Sequence, residues 1–156
     1  RILGNYANFL QGGRKDYDRA EKYYEKAIKA DSENANNLGN YAGFLLKQER
    51  WQEGEEYLSR SFKLNRNNKA LQELSLECCF YAYAHFPIEK IGDVLSEIKE
   101  LLKDGVRAEN WPLEKHVQVA IKNKHPEPKF LEALRKVIND EAKLSTLDKF
   151  PVWKEL

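Results

Sequence analysis

Methionine is missing from this chain altogether, and cysteine occurs only as the neighbours Cys78 and Cys79. Adjacent cysteines rarely pair, because a disulfide needs Cα atoms farther apart and suitably aimed. A disulfide framework is therefore not expected, and a reducing compartment, the cytoplasm, is. No second cysteine pair or His-x3-His spacing completes a metal site. Cys78 and Cys79 read instead as two small buried residues on one helix. No apolar run reaches the roughly 18 residues of a membrane span. The opening RILGNYANFL lacks the layout and cleavage site of a signal peptide. Neither sign of charge is in excess: 26 basic against 25 acidic side chains leave a formal charge of +1. That balance argues against a partner held mainly through its phosphates. Without methionine there is no initiator, and the chain opens directly on repeat sequence; an excerpt of a longer protein, cut inside an array, is expected.

What is present is enough for one ordinary domain: 156 residues, 42% hydrophobic and 33% charged, can bury a core and stay soluble. The octet LGNYANFL at residues 3–10 returns as LGNYAGFL at 38–45, each matching pair 35 residues apart. The stretches that follow align as well, Tyr17 with Trp51, Ala20 with Gly54, Tyr24 with Leu58 and Ala27 with Ser61, now 34 apart. The first copy thus carries one extra residue in its turn, around GGRKD. Each half of the repeat reads as a helix. Leu3, Tyr6, Ala7 and Leu10 make one apolar stripe, and Tyr17, Ala20, Tyr24, Ala27 and Ile28 make the next. Asp16 suits the N-cap of the second helix, Ser32 or Asn34 that of the third, and the glycines of QGGRKD suit a tight helix–helix turn. Small residues stand where paired helices must cross: Ala7, Ala20 and Ala27, then Ala42, Gly54 and Ser61. Helices at about 8–10 Å cannot approach if both carry bulk at the crossing.

This pattern resembles the tetratricopeptide repeat, a helix–turn–helix unit of about 34 residues. The resemblance is clear over residues 1–67, with Tyr24 and Leu58 in the large slot between the small ones. Two features depart from it: Ser32 and Arg66 stand where a closing proline is usual, and Tyr-Ala replaces the usual Leu-Gly pair of the first helix. It implies an all-α fold, a right-handed superhelix of antiparallel helix pairs that forms one continuous solenoid. Over 68–143 the repeat is degenerate. Residues 69–86 read as a helix with Leu71, Leu74, Ser75 and Cys78 on one stripe. Pro87 suits the first turn of the next helix, whose stripe runs Ile88, Ile91, Leu95, Ile98, Leu102. Pro112 opens a helix with Leu113, Val117, Ala120 and Ile121, KNKHPEP breaks it, and Phe130, Leu131, Leu134, Val137 and Ile138 mark the last. Eight helices in four pairs are expected, with residues 68–156 holding two degenerate hairpins and a capping tail, LSTLDKFPVWKEL; a partner-binding tail is the alternative.

No catalytic constellation is visible. His85, His116 and His125 have no ligand or nucleophile at working distance in sequence, and no Gly-Lys-Ser loop for phosphate exists. Asp16 and Asp18 lack the further ligands calcium needs. Neither enzyme activity, cofactor nor metal is expected. Function should lie in the groove, which in the family is lined by the first helix of each pair. Asn5 and Asn8, then Asn37 and Asn40, stand beside the packing stripes there. The resemblance implies that such asparagines hold the backbone of an extended peptide, each with a donor and an acceptor. Capping or cross-hairpin bonding is the competing role. Some members clamp acidic chaperone tails with Lys and Asn, then Asn, then Lys and Arg. Here Asn8 and Asn40 match, but Gly4 fills the lysine slot. Residues 70–89 hold no Lys or Arg, while Glu73 and Glu77 lie near the last slots. A neutral or basic protein segment is therefore expected in the groove, not an acidic chaperone tail. The expected role is a non-catalytic protein–protein interaction scaffold. The alternatives are an RNA-binding helical repeat, which near-neutral charge argues against, or an appendage of an enzyme or sensor.

Overall fold

The computed structural model describes residues 2–87, 89, 93–109 and 111–156. Among these it is helical, with no strand. The chain divides into two compact units, Arg1–Leu71 and Gln72–Leu156.

The first unit is two helical hairpins. Helix α1 (Ile2–Phe9) pairs with α2 (Tyr17–Ala30), and α3 (Ala35–Lys47) pairs with α4 (Trp51–Leu64). Caps start the helices where the sequence indicates: Asp16 accepts from the Arg19 backbone N–H, and Asn34, not Ser32, from that of Asn37. Both hairpins turn on a residue with positive φ, Lys15 at 54° and Glu49 at 61°. The backbone N–H groups of Asp16 and Arg50 then reach back to the carbonyls of Leu10 and Leu45, which satisfies the freed C-terminal acceptors. The glycines of QGGRKD therefore do not make this turn. Gly12 and Gly13 lie in a π-helical turn, Leu10–Arg14, that extends α1. A π turn takes up one extra residue without shifting the flanking faces. It absorbs the residue that separates the 35-residue offset from the 34-residue offset.

The small residues lie at the crossings. Ala7, Ala20, Ala42 and Ser61 have no exposure, and Ala27 has 3%. A Cβ on Gly54 would lie 2.8 Å from Leu46 Cδ2, so α3 and α4 meet only because that atom is missing. Ser61 closes its crossing with a 2.7 Å hydrogen bond from Oγ to the Ala35 carbonyl. Between the hairpins runs an aromatic ladder, in which Tyr24 stacks on Tyr41 at 5.5 Å and meets Phe44 at 5.3 Å. Tyr17, placed on the packing stripe by its spacing, is 41% exposed and reaches the ladder only at Phe44.

In the second unit, α5 (Lys69–His85, of which Lys69–Leu71 belong to the first unit), α6 (Val94–Lys103), α7 (Leu113–Lys122) and α8 (Pro128–Ile138) precede a 3-10 turn (Leu144–Leu147) and a one-turn α9 (Pro151–Lys154). Glu89 is helical, Asp93 lies in a turn and α6 starts at Val94, so the helix expected from Pro87 is interrupted at Asp93; Ile88 and Ile91 lie outside the described residues. Large side chains fill this core. Phe130, fully buried, meets Tyr83 at 5.8 Å, Phe150 at 5.4 Å and Trp153 at 6.0 Å. Leu147 and Trp153 of the tail are buried, and Lys99 Nζ donates to the Trp153 carbonyl at 2.9 Å. Cys78 and Cys79 are buried thiols. No helix among the described residues is long and apolar enough to cross a membrane.

Candidate interaction surface

Helix periodicity decides which asparagines reach solvent. On α1 the buried stripe is Gly4, Ala7 and Leu10, which leaves Asn5 and Asn8 exposed. On α3, Leu38, Gly39, Tyr41, Ala42, Leu45 and Leu46 are buried, which leaves Asn36 and Asn40 exposed one turn apart. Asn5 and Asn40 occupy the same position of the two repeats and are exposed in both. Asn36 was not singled out by the repeat alignment, because its counterpart is Arg1; its i, i+4 spacing to Asn40 is the signal that finds it.

The other asparagines have structural work. Asn37 retains only 7% exposure, and the place where a Gly4 Cβ would stand is 2.6 Å from its Oδ1. It packs α3 onto α1 instead of facing a ligand, a correction to its groove assignment. The same geometry leaves no room for a lysine at position 4. Asn8 is exposed but engaged: the Tyr24 hydroxyl lies 2.6 Å from its Oδ1 and 2.7 Å from Gln11 Oε1. One hydroxyl proton serves one of these amides, and the other amide, turned over, donates to the hydroxyl oxygen. Burial raises the Tyr24 phenol to about 12, so it stays a donor. Glu73 is half-buried and Glu77 has 8% exposure, both in the second unit beside Ser75, whose Oγ donates to Glu97 Oε1 at 3.1 Å. Glu77 is thus largely an interior residue, not a groove one.

A charged network joins the two hairpins. Glu21 of α2 accepts from the Tyr41 hydroxyl at 3.1 Å and from the Arg50 guanidinium, which also holds Glu53 at 2.7 Å. The Arg50 hydrogen bonds keep the Glu53 carboxyl below its ordinary range. Burial, then Glu21, pushes the Tyr41 phenol upward. These groups are consumed by one another and offer no reactive centre.

In the second unit, the imidazoles of His85 and His116 lie 3.2 Å apart, and His125 Nε2 donates to the Tyr83 carbonyl at 2.9 Å. Among the described residues no group of three His, Cys, Asp or Glu is placed to hold a metal ion. An open groove of about 650 Å³ beside α8 is lined by Ile121, Ala133 and Phe150 together with Lys129, Glu132, Lys136 and Lys149.

A family model described as tetratricopeptide repeat matches residues 13–76, from the turn after α1 into α5. Neither a curated protein nor a solved structure matches the chain.

Proposed function

Taking residues 13–76 as tetratricopeptide repeats, we propose that this chain is a non-catalytic protein–protein interaction scaffold that grips an extended partner segment along the exposed face of its first helices. Such repeats generally mediate protein–protein interaction. The observation that carries the reading is the pair Asn5 and Asn40, exposed at the same place in successive repeats, each directly after a buried glycine, Gly4 or Gly39. An exposed asparagine there does nothing for packing, yet it pairs with a peptide backbone through one donor and one acceptor. Asn36 extends the ridge on α3. Gly4 and Asn37 oppose the acidic-tail clamp, since the lysine slot is filled by the Asn37 side chain. A neutral or basic segment remains the favoured ligand, held in a reducing, cytoplasmic setting.

The experiment is selection of extended peptides from a display library on the full chain, followed by titration against Asn5→Ala/Asn40→Ala. Selected peptides should lose at least about tenfold in affinity to the double variant, with the melting temperature unchanged. Unchanged affinity, or selection of peptides ending in runs of acidic residues, would count against the reading.

A further inference from the structure

One group of three polar side chains in the first hairpin has an apolar replacement in the second. Tyr24 of α2 is fully buried, and its hydroxyl touches the carbonyl oxygens of two amides, Asn8 on α1 and Gln11 in the π turn that extends it. The counterparts of Asn8, Gln11 and Tyr24 are Gly43, Leu46 and Leu58. Leu46 and Leu58 are buried, so the second hairpin closes the same crossing without a hydrogen bond between side chains. A buried hydroxyl is costly unless it is paired, and an apolar side chain avoids that cost. The packing of the repeat therefore requires neither the Tyr24 hydroxyl nor the two amides.

The single phenol proton forces the two amides into opposite senses. The amide that accepts this proton turns its NH2 group away from Tyr24. The amide that donates to the phenol oxygen turns its carbonyl away. Asn8 is exposed and Gln11 half-buried, and neither makes a further side-chain hydrogen bond among the described residues. The surface over Tyr24 thus shows one unused donor and one unused acceptor. Both lie on the side of α1 that faces the second hairpin: Gly4, one turn before Asn8, receives Asn37 of α3, and Tyr24 stacks on Tyr41. Helices α1 and α3 carry no charged side chain apart from Lys47, so amides dominate this surface.

In an extended segment one residue turns both its N–H and its C=O to the same edge. We propose that Asn8 and Gln11 form a fork that takes both backbone groups of a single residue in the extended partner segment, with Tyr24 as the positioning residue that sets their opposite senses. The fork rests on the interaction reading above and adds a requirement to it. The residue that enters the fork must carry a free N–H, which excludes proline there. Its side chain is not read by the fork, and binding through uncharged amides is only weakly sensitive to salt.

The test is N-methylation, one residue at a time, of an extended peptide selected on the full chain. Methylation at one position should weaken binding at least about tenfold, and in Tyr24→Phe and in Asn8→Ala/Gln11→Ala chains that loss should shrink to about twofold or less. Tyr24→Phe keeps the buried ring, and the double variant changes only surface amides, so both chains should stay folded by circular dichroism. A second measurement needs no peptide. In nitrogen–proton spectra of the free chain, the NH2 group of one amide, Asn8 or Gln11, should be protected from exchange by its bond to the phenol, and Tyr24→Phe should remove that protection. Fast exchange of both amides in the parent chain, or methylation losses that are the same in all three chains, would overturn the fork. If Asn5→Ala/Asn40→Ala still weakens the peptide in that case, the asparagine ridge stands without the fork. Failure to select any extended peptide would instead remove the interaction reading, and the fork with it.

Discussion

In Arg1–Leu71 the helices approach through atoms that are missing: Gly4 receives Asn37, Gly39 receives Leu71, Gly54 receives Leu46, and Ala20, Ala27 and Ala42 carry almost nothing outward. In Gln72–Leu156 they are held through bulk: Phe80, Ile98, Leu102, Phe130 and Trp153 are all buried, and Phe130 alone touches three rings. Close crossings by small residues force a periodic sequence, because the gap and its filler must recur at each hairpin. A core filled by large side chains tolerates many arrangements of similar volume, so its sequence need not repeat. The same contrast makes the first unit vulnerable to added atoms and the second to lost ones.

The largest effect should come from Ala27→Glu. A carboxylate would be buried without a partner at the α2 crossing, at a cost on the order of several kcal/mol, and thermal melting should show the first unit unfolded. A melting temperature like that of the parent would mean that Ala27 faces water. Phe130→Ala should destabilise by about 3–5 kcal/mol through the cavity left among Tyr83, Phe150 and Trp153. Hydrogen exchange should locate the loss in α7, α8 and the tail, with α2 and α3 still protected.

Smaller is Gly54→Val, about 1–3 kcal/mol for overpacking against Leu46. Leu46→Ala should relieve part of it in a double-mutant cycle, whereas additive losses would show that the two residues do not touch. The smallest effect is alkaline sensitivity. A phenol whose folded-state ionisation is pushed upward contributes stability that is complete below about 10 and declines as pH rises through its folded value. Burial pushes Tyr24 of the first unit and Tyr83 of the second up to about 12. Between pH 10 and about 12 hydrogen-exchange protection around both should therefore fall. Unchanged protection around either would show that its hydroxyl faces water.

Much of the first unit is legible before any coordinates, because Ala20, Tyr24 and Ala27 recur in frame as Gly54, Leu58 and Ser61. The π turn shows only as a one-residue offset between the two halves of the repeat. Asn37 misleads because its letter is that of the exposed Asn40, and its burial depends on the absent side chain of Gly4, 33 residues away. Periodicity alone does not set burial: Tyr6 and Tyr41 stand at the same place in the repeat, yet Tyr6 is half-buried and Tyr41 buried. In the second unit, the helix order follows from prolines and apolar stripes. The partners of Phe130 and Trp153 carry no repeat to announce them, and the turn at Asp93 interrupts a stripe that reads as continuous.

The central claim, that exposed asparagines of the first helices hold a partner segment, is tested most directly by the side-chain amide signals of the full chain in nitrogen–proton correlation spectra during titration with a selected peptide. The account predicts that the amide resonances of Asn5 and Asn40 shift together and saturate at the same peptide concentration. Shifts confined to the groove beside α8, with Asn5 and Asn40 unmoved at saturation, would contradict it.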